Sequence, residues 1–167
     1  MITRDIEQFN EIKSSALSYF CYLFSKNIAK TQIVGNDDST YSNVKKGLYR
    51  IYDDIKKAQR FYIVDKNGLQ IEDAISRNKM MQYGNDEDFS TGPCFTETIL
   101  KRKCALSNPY PSSETSDMII TASYPVYDED NILLYVVMLD IELKKLLTLI
   151  HPSSSGTTFG ILNKVTY

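Results

Sequence analysis

A chain of 167 residues that is 43% hydrophobic and 24% charged has the size and make-up of one globular domain able to build its core without metals or staples. Its net charge of −2 and pI near 5.4 argue against nucleic acid as a partner, which calls for a basic patch and a pI above about 9. Three irregularly spaced cysteines and a single histidine, His151, do not make a zinc motif, and no apolar run of about 18 residues is present to span a membrane.

From Ile2 to Lys30 there is neither Pro nor Gly. Ile2, Phe9, Ala16 and Leu23 recur every seven residues, and Ile6, Ile12, Tyr19 and Phe20 widen the same stripe, which predicts one long amphipathic helix. At about 1.5 Å per residue it runs roughly 40 Å, more than one small sheet covers. The stripe is therefore expected to pack on the domain and, near its start, on a second copy of the chain; the length also suits a stalk that continues a membrane helix. Residues 31–43 read as a polar loop with a cap candidate at Ser39 or Thr40. Val44, Leu48, Ile51, Ile55 and Ala58 then mark a second helix.

Arg60 to Asp65 has the aromatic and β-branched content of a strand, and Lys66 to Gly68 is a turn signal leading into residues 69–76, so a hairpin is expected. Residues 77–95 are a long connection, kept irregular by Gly84, Asn85, Asp86, Gly92 and Pro93. It ends in a short helix over 93–103, with Ser90 or Thr91 as cap and Pro93 in the first turn. A connection of this length in a compact domain is more often functional than idle.

Residues 104–142 read as three successive antiparallel strands separated by polar turns. Ile132 to Ile141 is an almost unbroken apolar run, as expected of a strand covered on both faces at the centre of a sheet, and Asp128 to Asn131 suits the turn before it. Met118 to Tyr127 mixes Ile119, Ile120, Val126 and Tyr127 with Thr121, Ser123 and Tyr124, so one face is expected to be greasy and the other to carry hydroxyls and the function. A short helix follows over 142–150, and residues 151–167 show no clear period. The order gives an α+β fold, a long N-terminal helix plus a PAS-like five-stranded antiparallel sheet. The divisions are 1–58 for the two helices, 59–150 for the PAS-like core and 151–167 for a tail.

Catalysis finds no support: there is no Gly-rich phosphate loop, Gly-x-Ser-x-Gly elbow or HExxH helix. The acidic groups Asp37-Asp38, Asp53-Asp54 and Asp86-Glu87-Asp88 lack the layout of a calcium loop and read as solvated surface. No metal and no cofactor is expected. Twelve tyrosines without a tryptophan suit a small-molecule cavity, because Tyr offers an apolar wall with a polar tip. Asp140 closes an apolar strand and must be paired or solvated, either by a ligand or by a structural partner. Cys94 and Cys104 are either a disulfide or two buried thiols.

The stretches YIVDKNGLQIEDAI, LSNPYPSSETSDMIITASYPVYD and LLYVVMLDIELKKLL resemble the extracytoplasmic Cache (PDC) sensor domains of bacterial chemoreceptors, histidine kinases and diguanylate cyclases. The resemblance lies in Asp65, Asn67 and Gly68; in Ser107, Pro109, Tyr110 and Ser112; in Ile120, Thr121 and Pro125; and in Asp140 and Ile141. It implies the periplasmic sensor of a membrane receptor, attached through flanking segments absent from this chain and paired as a homodimer through the first helix. It also implies a small-molecule pocket between the sheet and residues 77–103, framed by Arg77, Tyr83, Phe95, Tyr110, Thr121, Ser123, Tyr124 and Asp140. Relatives carry an Arg-Pro-Tyr-Phe-like segment that grips a ligand carboxylate, where this chain has Gly92, Pro93, Cys94 and Phe95. With that arginine missing and Asp140 left unpaired, the pocket is expected to favour cationic, zwitterionic or neutral polar ligands over dicarboxylates, unless Arg77 folds in. The competing reading is a ligand-free dimerisation or scaffold domain.

Overall fold

The computed structural model describes residues 2–28, 37–55, 58–71, 74–76, 87–112 and 116–150. Arg77, Tyr83, the acidic run at 86 and the tail with His151 fall wholly or partly outside them. Helix α1 (Ile2–Asn27) is unbroken, and α2 (Asp37–Asp54) follows it. The cap candidates Ser39 and Thr40 thus lie inside α2, and Ala58 opens strand β1 (Ala58–Asp65). Along α1, Phe9, Ile12, Ala16, Phe20, Leu23 and Phe24, with Ile28 just past its end, are buried in this chain's own core. The two helices approach closely at Gly47, where a Cβ would stand 2.7 Å from the Asn27 carbonyl oxygen.

After the Lys66–Gly68 turn the described residues return along β1 through an isolated bridge between Val64 and Gln70, a hydrogen bond from the Ile71 N–H to the Ile63 carbonyl at 3.0 Å, and β2 (Ile75–Ser76), which pairs with Phe61 and Arg60. Helix α3 (Pro93–Lys101) begins with Pro93, but its N-cap is Gly92, without a side-chain cap, rather than Ser90 or Thr91. The first of the three expected strands is split by Ser107–Pro109 into β3 (Ala105–Leu106) and β4 (Tyr110–Pro111), both paired to β5 (Met118–Tyr127). Strand β6 (Leu133–Glu142) runs straight into α4 (Leu143–Ile150). Asp128 shapes the β5–β6 turn by accepting, through Oδ1, from the N–H groups of Asp130 (2.8 Å) and Ile132 (2.9 Å). Asn131 takes the left-handed backbone at φ 61° there.

The sheet order is β2-β1-β6-β5-β3, with β4 on β5, so β6 is the central strand, as its apolar run implied. Because side chains alternate across a strand, the register divides β1, β5 and β6 cleanly. Phe61, Ile63, Ile120, Ala122, Val126, Val137, Leu139 and Ile141 join the core formed with α1, α2 and α4. Tyr62, Val64, Val136 and Met138 pack with α3 residues Cys94 and Phe95 on the opposite side.

Candidate functional site

Antiparallel register builds the site as two rungs. Arg60, Asp140 and Thr121 are direct partners across β1, β6 and β5, and Tyr62, Met138 and Ser123 form the next rung on the same face. Asp140, 1% exposed, receives three donors: Arg60 Nε at 2.6 Å, Thr121 Oγ1 at 2.7 Å and Tyr62 Oη at 3.2 Å. This corrects the expectation of an unpaired Asp140. A lone buried carboxylate is costly, and the register sets an arginine directly opposite it. Burial works against the Arg60 charge, yet Asp140, Tyr62 and Glu87 raise its pKa above the ordinary arginine value.

Thr121 spends its proton on Asp140, so its oxygen accepts from Tyr110, whose hydroxyl contacts Thr121 Oγ1. The result is a directional relay from Tyr110 through Thr121 to Asp140, which leaves lone pairs on Tyr110 Oη as an acceptor. Burial, reinforced by Asp140, raises the Tyr110 phenol above its usual value; Tyr62 is raised in the same order of causes, with Arg60 opposing. Both stay protonated near neutral pH.

Beside this network lies a cavity of about 480 Å³. Tyr62, Phe89, Pro93, Phe95, Pro109 and Met138 supply apolar walls, while Ser107, Asn108, Tyr110 and Thr121 supply polar edges. Gly68 makes one wall possible: at φ +88°, with Ser90 backbone atoms 2.7 Å from where a Cβ would sit, it admits the returning chain. The Phe89 N–H then donates to the Gly68 carbonyl at 2.7 Å, and the Phe89 ring stacks on Tyr62 at 4.8 Å. The opposite wall is pinned by the Thr121 N–H, which donates to Ser107 Oγ at 2.8 Å. No charged side chain lines the cavity among the described residues.

Of the residues singled out from sequence, Phe95, Tyr110 and Thr121 line the cavity, and Asp140 stands behind Thr121 and Tyr62. Ser123 shares the Thr121 face but is buried under α3, bonded to Thr98 and to Cys94 Sγ at 3.1 Å. Tyr124 is on the other face, stacked on Phe24 of α1 at 5.6 Å; an even-numbered neighbour of Thr121 and Ser123 cannot share their side. Cys94 and Cys104 are free thiols and belong to the cores on opposite sides of the sheet. Burial, partly offset by the Ser123 hydrogen bond, pushes the Cys94 thiol up to about 11, so it is neutral. Arg60, Tyr62, Phe89 and Met138 were not singled out. Arg60 and Tyr62 were within reach, because they alternate with Phe61 and Ile63 in RFYIVD.

A central antiparallel sheet with a roofed, relay-edged cavity on one face and a long helix on the other is a PAS-like sensor fold. The chain belongs to the family of methyl-accepting chemotaxis protein-like first PDC sensor domains, which it matches over residues 10–148. No relative was found among curated proteins. Among solved structures it resembles the ligand-binding domain of the Campylobacter jejuni chemoreceptor Tlp3 in complex with 4-methylisoleucine. That likeness has a TM-score of 0.62 at 18% identity and covers 89% of this chain and 58% of the other. It also resembles the ligand-binding domain of the Pseudomonas aeruginosa PAO1 amino acid chemoreceptor PctC in complex with GABA (TM-score 0.58, 16% identity, 86% and 64% covered). A third likeness is to the Bacillus subtilis YkuI protein, which carries an EAL domain (0.56, 20%, 87% and 36%). At these identities the likeness is one of fold, and the chain spans less than two thirds of each. Among the described residues no helix is long and apolar enough to cross a membrane.

Proposed function

We propose that this chain is the extracytoplasmic ligand-binding module of a bacterial transmembrane receptor. It takes a small, mainly apolar molecule with a hydrogen-bond-donating head, an amine or a zwitterionic amino acid, into the cavity under α3. The observation that carries this reading is the Tyr110–Thr121–Asp140 relay: its outer end accepts, and Asp140 behind it strengthens the acceptor. A carboxylate turned to the same edge would meet lone pairs. This keeps the preference expected from sequence but moves its origin from Asp140 itself to Tyr110. Binding would bias the positions of α1 and of α4, which begins three residues after Asp140, and so reach an output domain by population shift. The relatives in complex with 4-methylisoleucine, L-valine and GABA are compatible with ligands of this size. Arg77 and Tyr83 remain proposed contributors from the connection. Pairing of two copies through α1 would use its first turn or its polar outer face, since Phe9, Ile12, Ala16, Phe20, Leu23, Phe24 and Ile28 are covered within the chain.

Calorimetry of L-isoleucine, L-valine, GABA and succinate against wild type and Tyr110→Phe tests the reading. An amine-bearing ligand should bind while succinate does not, and Tyr110→Phe should weaken binding about tenfold, the equivalent of one hydrogen bond. Tighter binding of succinate, equal in both proteins, would overturn the reading. Silence across a wider thermal-shift panel of amines, organic acids and purines would favour the ligand-free scaffold instead.

A further inference from the structure

On the helical side of the sheet, a groove between α1 and the segment entering β3 is lined by Cys21, Tyr22, Lys103, Cys104 and Tyr124. Cys21 is half-buried on α1, Cys104 is buried one residue before β3, and Cys21 packs against the core cluster that holds Cys104. Two elements far apart in sequence thus bring a pair of thiols to one opening to solvent. Cys21 is the more acidic of the two: the neighbouring Cys104 thiol lowers its pKa, burial opposes, and Lys103 lowers it further. Cys21, with burial, shifts Cys104 upward.

We infer that Cys21 and Cys104 are the site of a reversible disulfide that pins α1 to the β3 edge of the sheet. Neither residue lines the cavity under α3, and the inference does not rest on what that cavity binds. The oxidant is a small-molecule disulfide. The Cys21 thiolate attacks one of its sulfurs, its S–S bond breaks, and one thiolate leaves and takes up a proton. Cys104 then attacks Cys21 Sγ, gives up its proton and expels the second thiol. Two protein thiols are oxidised and one external disulfide is reduced to two thiols.

The test exposes the whole chain to oxidised glutathione, quenches with acid, alkylates the remaining thiols and maps the peptides. A Cys21–Cys104 linked peptide is expected, cleared by dithiothreitol, with an unfolding midpoint raised on the order of 10 °C by closure of a long chain segment. Cys21→Ser, a change at a half-buried position, should abolish both the link and the shift, while Cys94→Ser should keep them. Glutathione retained on Cys21 beside a free Cys104, a Cys94–Cys104 link or a link between two chains would each overturn the inference. The wild-type map decides the matter even if a variant fails to fold.

Discussion

The two faces of the sheet are made from alternate residues of the same three strands, and they differ in kind. Towards α1, α2 and α4 the strands turn Phe61, Ile63, Ile120, Val137, Leu139 and Ile141, all buried and apolar. Towards α3 they turn Arg60, Tyr62, Thr121, Ser123 and Asp140, a hydrogen-bonded set beside a cavity. The helical face holds the domain together by burial. The α3 face accepts the desolvation of an ion pair, which hydrophobic residues of similar volume often replace without loss of stability. Its polar groups are better understood through what they present to the cavity than through what they add to the fold.

Breaking the helical face should have the largest effect. Phe24 is fully buried and stacks on Tyr124, so Phe24→Ala should cost about 3–5 kcal/mol by lost transfer energy and a residual cavity. Denaturant unfolding would show it. Any ligand affinity should survive in the fraction that stays folded, since neither ring lines the cavity.

On the α3 face, Arg60→Met strands a carboxylate of 1% exposure and should cost roughly 3 kcal/mol. Adding Asp140→Leu should restore much of that loss while ending ligand binding. A double variant no more stable than the single would show that the ion pair itself holds the fold.

A smaller effect, visible only in alkali, follows from Cys94. Its thiol titrates near 9.0 when unperturbed and at about 11 in the fold, so the native state retains the proton longer than the unfolded chain does. The stabilisation is complete below the unfolded value and is lost as pH rises from about 9 to 11, amounting to roughly 2–3 kcal/mol. Denaturant midpoints near pH 8 and pH 10.5 should show wild type losing its margin over Cys94→Ala across that window. A constant margin would mean that burial does not shift this thiol.

The same comparison explains what was legible in the sequence. The apolar run of β6, the long α1 stripe and the hydroxyls at Thr121 and Ser123 are periodic signals, and period is what a strand or helix writes into its residues. Asp140 stood out because charge interrupts such a run. Its partner did not, because Arg60 lies 80 residues away and is joined only by register, which sequence spacing does not carry. Tyr124 was misplaced by residue type outweighing parity. The pairing of Gly68–Gln70 with residues 87–89, through the Leu69–Asp88 bridge and the hydrogen bonds of Gln70 with Glu87 and of Phe89 with Gly68, was missed because it depends on where a distant segment returns.

The smallest expected effect concerns a contact that crosses between the faces at the cavity mouth. Lys13 of α1 donates through Nζ to Asn108 Oδ1 at 3.0 Å, and Asn108 lines the cavity. This hydrogen bond is exposed, so Lys13→Met should change stability by less than about 1 kcal/mol. Its interest lies in position: a ligand that moves the Ser107–Pro109 segment must move or break the Lys13 contact, and so acts on α1 without passing through the core. Hydrogen exchange in the first half of α1 should therefore respond to a saturating ligand in wild type and respond less in Lys13→Met at equal occupancy. An identical response in the two proteins would leave β6 and α4, continuous in the chain after Asp140, as the route from the cavity.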